Sequence, residues 1–458
     1  MTLAPERPLL SPTEPHHVGA VHAAAAHHDG STRIRNATPA AQRPAYKKSG
    51  RPNPAAHLTP EQIEELGREL DAIQREVMDS RNAADAAYIR RIIQVQRSLE
   101  LGSRAVLLFS GVKVKGIRPA WWLGTAGLSL AKILENMEIG HNVLHGQWDW
   151  MRDPKIHSTT WEWDNASTAE GWKHAHNEIH HTYTNIVGKD NDLGYGIMRV
   201  DEDQRWVPAY LLQPLWNFVN ACFFEYGIAA YDLELGRNLR LPKEKRSAEF
   251  KASARRTLAK IRRQATKDYV VNPALAIPFG GFLPTLAANF TANVVRNVWS
   301  HSVIMCGHFP EGVETFEKKA IPEKETRGEW YLRQMLGSAN ISGSKAMHLM
   351  TGNLSHQIEH HLFPDLPSNR YAEIAPRVEA LFDKYELRYH AAPLPQQVYS
   401  AWHRVVRLSL PNGWLATTNR SNLPEQLKLL WAMSTKGPKV RRAAQARLQQ
   451  QARRQAAA

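Results

Sequence analysis

Cysteine is nearly missing: Cys222 and Cys306 are the only two in 458 residues. Two thiols build no disulfide framework, and an iron–sulfur cluster takes about four thiolates, so any metal here is held by nitrogen and oxygen. Apolar residues are also too few for helices buried in lipid from end to end, since mean hydropathy is −0.46. No positively charged start followed by an apolar stretch opens the sequence, which predicts no secretory signal peptide. There is no G-x-G-x-x-G fingerprint for a flavin or nicotinamide nucleotide. Acid falls short of base, with 44 Asp and Glu against 58 Lys and Arg. A net charge of +14 suits nucleic acid or an anionic membrane surface equally well at this level.

Histidine is what the chain has in excess. Eight imidazoles fall in three short windows: His141-Asn-Val-Leu-His145, His176-Asn-Glu-Ile-His180-His181, and His356-Gln-Ile-Glu-His360-His361. A buried imidazole must find a partner for each ring nitrogen, so an ordinary core has no use for so many. Neutral imidazole is, however, the commonest metal ligand. On a helix, residues four apart share a face, so His141 and His145 can point at one centre, as can His176 and His180. The adjacent His181 is rotated by about a hundred degrees and can turn to a second ion. The third window repeats this arrangement. Eight nitrogens are too many for one ion and suit two. Structural zinc, closed by four ligands that often include Cys, does not fit this set.

The remaining sequence indicates where such a centre sits. Residues 1–57, with His16, His17, His22, His27 and His28, read as a solvated low-complexity tail. Thr59-Pro60-Glu61-Gln62 is a helix start with a capping box, and Ile63, Leu66, Leu70, Ile73 and Val77 make one apolar stripe in a helical pattern that runs to about Arg97. Apolar runs near 104–113 and from Pro119 onward predict a hairpin whose second helix emerges into water carrying His141 and His145. Two more apolar stretches cover about 207–231 and 269–308. Between them, 234–268 holds twelve Lys and Arg, which predicts a cytoplasmic loop. Because the boxes must meet on one side, 207–231 is expected to lie in the membrane plane and 269–308 to form a second hairpin turning near Gly280-Gly281 or Pro284. His308 then ends that hairpin beside the boxes and is the expected ninth ligand, with His301 as the alternative. His157, His174 and His348 read as ordinary histidines. Asn177, Glu178, Asp190, Asp192 and Glu359 are candidates to orient the ligands. The sequons at Asn165, Asn289, Asn340 and Asn353 read as chance. Residues 365–435 read as mixed helix and loop, and the basic tail beyond Glu425 as a solvated helix.

The boxes, with Gln357-Ile-Glu-His-His-Leu-Phe-Pro364 as their most specific string, resemble those of the membrane-bound fatty acid desaturases. Glu138-Ile-Gly-His-Asn-Val-Leu-His-Gly-Gln-Trp-Asp-Trp150 and Trp330-Tyr-Leu-Arg-Gln-Met-Leu-Gly-Ser-Ala-Asn340 are most similar to the actinobacterial acyl-CoA Δ9 (stearoyl-CoA) branch. The resemblance covers roughly 100–400. It implies an all-α membrane protein of transmembrane hairpins, four helices with some short, carrying a cytoplasmic helical cap. The expected division is a tail (1–57), an amphipathic region (58–100), the desaturase domain (101–400) and a basic C-terminal region (401–458). The implied activity is O2-dependent insertion of a cis double bond, at Δ9, into a long-chain acyl-CoA; a related di-iron hydroxylase is the alternative. The cofactor implied is two Fe ions, with His141, His145, His176, His180, His181, His308, His356, His360 and His361 as ligands. Gln357 competes with His356, because the family's third box also begins with Gln. There is no fused haem domain with a His-Pro-Gly-Gly signature, so electrons are expected from a separate flavin and iron–sulfur reductase or a ferredoxin. Basic patches can steer such an acidic donor or the phosphates of coenzyme A. Membrane lipid is an expected partner and nucleic acid is not. A non-enzymatic metal sensor or carrier would not require the repeated HH grammar.

Overall fold

The computed structural model describes residues 53–458 apart from 191, 319, 320, 322, 323, 420 and 458. The tail histidines His16 to His28 lie outside the described residues. Residues 53–57 already belong to the fold: Ala55 is buried, and His57 Nε2 lies 2.9 Å from the Tyr385 carbonyl oxygen.

The main helices in chain order are α1 (Pro60–Asp79), α2 (Ala83–Leu107), α3 (Pro119–Leu134), α4 (Gln213–Cys222), α5 (Phe224–Asp232), α6 (Ala248–Thr266), α7 (Phe282–His308), α8 (Arg327–Leu336), α9 (Tyr371–Lys384), α10 (Leu394–Ser409), α11 (Leu423–Thr435) and α12 (Pro438–Ala457). Helix α1 starts at the expected capping box and buries Ile63, Leu66, Leu70, Ile73 and Val77. The pattern read as one helix to Arg97 is two, because Asn82 and Asp85 form a second capping box that restarts the chain as α2. Helix α1 crosses α8 so closely that a Cβ on Gly328 would press on the Ile63 backbone. Its stripe joins Trp330, Tyr331, Phe363, Tyr371 and Phe382 in the largest buried core.

Both hairpins are present. Helices α2 and α3 form the first. Residues from Tyr269 through Leu275 and α7 form the second, turning at Gly280 with φ 68°. Their tips touch, with the Phe109 and Phe279 rings 4.6 Å apart. Among the described residues, no helix is long and apolar enough to cross a membrane. Helix α3 has 16 residues, short of the roughly 20 a span needs. Helix α7 has 27, but they include the buried polar Asn289, Asn293, Arg296, Asn297, Ser300 and His301. The 207–231 stretch is the kinked pair α4 and α5, with Leu215, Trp216, Phe218 and Phe223 exposed.

Two short parallel ladders supplement the helices. Strand β1 (Ile186–Val187) pairs with β2 (Phe316–Glu317), and β3 (Asn340–Ser342) with β4 (Ala391–Pro393). The basic tail packs rather than floats: Ala444 and Leu448 of α12 bury against Trp206, Trp414 and Met433.

Candidate metal centre

The first two boxes stand on backbone that departs from α geometry. Glu135–His141 continues α3 as a π-helical stretch, and Lys173–His180 is a second one. Such stretches wind wider than an α-helix and recur at functional sites. His145 follows one further turn on, and His181 opens the next. The third box lies on the short helix Gln357–Leu362, which supplies His360 and His361, while α7 ends at His308.

These elements bring the rings into two buried groups. His141, His145, His176 and His360 form one, and His180, His308 and His361 the other; within each, candidate ligand atoms lie within 4.8 Å of one another. His181 stands between the groups, with its ring centroid 4.7 Å from His145, 4.9 Å from His360 and 4.5 Å from His361. Trp172 closes the first group by stacking on His176 at 4.4 Å.

The outer ring nitrogens are held in place. Nδ1 of His141 meets Asn142 Oδ1 at 3.0 Å, that of His176 meets Asp192 at 2.8 Å, and that of His180 meets Asp190 at 3.0 Å. His308 Nδ1 lies 3.2 Å from the Gly337 carbonyl oxygen, and His361 Nδ1 lies 3.1 Å from Gln334 Oε1. Gln334 spends its amide N–H on the His181 carbonyl, so its Oε1 is an acceptor. His308 and His361 must therefore carry their protons on Nδ1. Their Nε2 atoms then face each other at 3.0 Å with lone pairs and no proton between them. Nε2 of His145, His176 and His360, and both nitrogens of His181, are buried with no partner among the described residues. Buried orphans cost about 1–3 kcal/mol each, and a cation in each group would satisfy them together. The residues present thus fit a metal.

The electrostatics agree with a neutral, unprotonated donor set. Burial first, then neighbouring imidazoles, holds His145, His176, His181 and His360 well below the usual histidine range. Burial takes His141 down to about 4. His180 is the exception: burial opposes its charge, yet the Asp190 and Asp192 carboxylates leave it raised. Carboxylates do not displace imidazole elsewhere. Glu138 and Glu178 both stand three residues before a box histidine. Glu138 binds Tyr88, Ser368 and Asn353 instead, and Glu178 is exposed beside His174.

Most of the expected positions meet at the centre, but His356 does not. Its ring stacks on His348 at 4.6 Å, outside both groups. Gln357, one residue on, faces inward: its amide Nε2 lies 3.0 Å from His308 Nε2, and its Oε1 has no partner among the described residues. The physical reason is phase, since His356 only caps the short helix while Gln357 enters it. His301 also stands apart, buried against Asn217 Oδ1 at 3.0 Å. Of the expected orienting groups, Asp190 and Asp192 bind ligand rings. Asn177 bonds the Leu144 carbonyl, and Glu359 is held by Asn340 and Tyr389. Sequence reasoning missed Gln334, Gly337 and Tyr371, whose hydroxyl lies 3.2 Å from His360 Nδ1; nothing local marks them, because they reach the site by packing.

Comparison with known proteins accords with this geometry. The fatty acid desaturase family model matches residues 119–393. The chain is 49% identical over 372 residues to the NADPH-dependent stearoyl-CoA 9-desaturase of Mycobacterium tuberculosis, covering 81% of this chain and 85% of that one. It is 25% identical to the sn-1 linoleoyl-lipid 6-desaturase of Synechocystis, over 63% of this chain and 79% of the relative. Human fatty acid desaturase 3 is 28% identical over 117 residues, 26% of this chain and 24% of that protein. A model match across more than half the chain, joined to a relative similar along most of its length, establishes that this chain belongs to the fatty acid desaturase family.

Proposed function

We propose that this protein is an O2-dependent acyl-CoA desaturase that introduces a cis double bond at the Δ9 position of a long saturated chain, using two iron ions. The observation that carries the reading is the pair of facing histidine groups with their unprotonated nitrogens turned inward. The similarity to a stearoyl-CoA 9-desaturase supplies the substrate class. His141, His145, His176 and His360 would hold one ion; His180, His308 and His361, with the Gln357 side chain beside them, the other; His181 stands where it can serve either. Bound iron supplies the redox chemistry that activates O2 toward unactivated methylenes. Overall, two hydrogens from adjacent methylenes, two electrons and two protons reduce one O2 to two waters. Asp190 and Asp192 keep the protons of His180 and His176 on the outer nitrogens, so the inner ones remain donors. Burial of every ring in the two groups keeps bulk water from competing.

The same reading seats the hairpin tips in the cell membrane, with the histidines on the cytoplasmic side. It is supported by the exposed Phe109, Val112, Ile117, Trp122 and Leu123 of one tip and Leu275, Ile277, Phe279 and Leu283 of the other. Apolar surface gathered in this way marks an interaction or membrane face. A separate protein, reduced at the expense of NADPH, is the proposed electron source.

The test is expression in cells lacking their own desaturase, with double-bond positions read by gas chromatography–mass spectrometry and iron by elemental analysis. The expected result is a Δ9 alkene and two irons per chain. His361→Ala should lower activity at least about 100-fold, beyond the 10–100-fold typical of losing a group that merely supports a ligand. A hydroxylated product without alkene would overturn desaturation.

A further inference from the structure

Helix α6 presents an unusual outer face. Lys251, Arg255, Arg256, Arg262 and Arg263 are exposed on it, while Thr257 and Lys260 are buried. At about 100° per residue, Lys251, Arg255 and Arg262 fall almost in line, and Arg256 and Arg263 lie together about 100° round to one side of that line. The helix has one acidic residue, Glu249, in its first turn, and of these five exposed cations only Arg256 has a carboxylate partner among the described residues, Glu170 at 3.1 Å. Leu258 is the single large apolar side chain exposed there. A helix lying on a lipid surface needs a broad apolar face, and the less polar side of α6 is already docked on protein.

That inner side leads to the metal centre. Lys260 pairs with Glu162, and its ammonium sits 6.0 Å from the centre of the Trp163 ring. Trp163 lies 5.2 Å from Trp172, which stacks on His176 at 4.4 Å with an interplanar angle of 21°. A short aromatic path thus joins the cationic face to the first histidine group.

We propose that the outer face of α6 is the docking site of an acidic electron-carrier protein, and that electrons pass from it to the metal centre across the Trp163–Trp172 contact. This rests on the desaturase reading, which requires two electrons per turnover. Each leaves the carrier's reduced centre and arrives at the metal centre singly. Neither tryptophan changes its oxidation state. Opposite charge steers the encounter and fixes its register, and such steering raises association rates by about 10–10³-fold at low salt.

The test compares the full-length protein with the quadruple variant Lys251→Glu/Arg255→Glu/Arg262→Glu/Arg263→Glu. A control reverses the same charge on α12: Arg442→Glu/Arg447→Glu/Arg453→Glu/Arg454→Glu. The probe is an acidic [2Fe–2S] ferredoxin. Its Kd is measured by calorimetry, and its KM in turnover with an NADPH-dependent ferredoxin reductase. The α6 variant should raise Kd and KM at least about tenfold at 50 mM salt, an effect that fades at about 0.5 M as screening sets in. The control, and the KM for stearoyl-CoA, should not change. Equal effects in the two variants would overturn the proposal, as would a raised stearoyl-CoA KM with ferredoxin binding intact. So would lost partition to phosphatidylglycerol vesicles with an unchanged ferredoxin Kd. Failure of the desaturase reading is separable, since ferredoxin binding is measured without turnover.

Discussion

Asp190 is the position where the supporting structure of the metal centre can be probed without touching a ligand. Its carboxylate is fully buried and receives three donors. Oδ1 lies 3.0 Å from His180 Nδ1 and accepts the Asp192 N–H at 2.9 Å; Oδ2 lies 3.1 Å from the same ring nitrogen and accepts the Asn185 N–H at 2.7 Å. Asp190→Asn keeps the shape but leaves one acceptor oxygen. Whichever way the amide turns, its NH2 faces a backbone N–H that has lost its acceptor. An orphaned buried donor costs about 1–3 kcal/mol, and the lost hydrogen bond to a charged group about as much again, so a total of about 3 kcal/mol is expected. At roughly 2 °C or less per kcal/mol in a chain of this size, the melting temperature should fall by about 3–6 °C. The metal should suffer too. Without its anionic acceptor, the His180 ring is free to change tautomer and tilt, and losses of this kind cost about 10–100-fold in metal affinity. The assay is iron retention after dialysis against graded chelator, with thermal unfolding in parallel. Retention and melting temperature indistinguishable from the parent would refute the reasoning, because Asp190 would then not be holding His180.

Three further outcomes are expected. His356→Ala should keep its full iron content, whereas Gln357→Ala should lose metal from the His180–His308–His361 group; elemental analysis of the two variants decides this, and the reverse result would restore His356 to the ligand set. Burial pushes the Glu138 carboxyl up from 4.5 to about 7, so the folded protein holds the extra proton and stability falls as pH rises between those values. Glu138→Gln should flatten that slope by up to about 3 kcal/mol, read from urea unfolding at pH 5 and pH 8, and an unchanged slope would discount the group. Gly328→Ala should destabilise by about 1–3 kcal/mol through overpacking against the Ile63 backbone, checked by the urea midpoint.

Legibility in the sequence followed the range of the forces involved. The α1 start and the α1 stripe were readable because a cap and a helical period are local. The histidine boxes were readable because imidazoles at spacings of three and four have few other uses. The break before α2 was also local, in Asn82 and Asp85, but an apolar pattern running across it hid the restart. The π stretches were not readable, since a wider turn leaves the same residue types in the same order. The choice between His356 and Gln357 depended on where a six-residue helix begins, and such boundaries shift by a residue or two. Gln334, Gly337 and Tyr371 reach the site through α8, the chain beyond it and α9, from segments with no motif of their own. The β1–β2 and β3–β4 ladders are too short to leave an alternating pattern. The spans expected of the hairpins were inferred from apolar content, and the buried polar side chains of α7 changed that balance.

The dispersion of the ligands along the chain bears on biosynthesis. The first histidine group takes three rings from residues 141–176 and its fourth from His360, while the second is completed by His361. A ribosome working from the N-terminus therefore releases most of the donors long before either group can close. The β2 and β4 partners that tie these distant segments together also come late. Ion capture would then be a terminal event, coupled to the slow, non-local contacts of folding. A chain truncated before residue 360 would present several imidazoles but no finished cage, so under the proposed function metal content would double as a measure of how many molecules have been made and folded to completion.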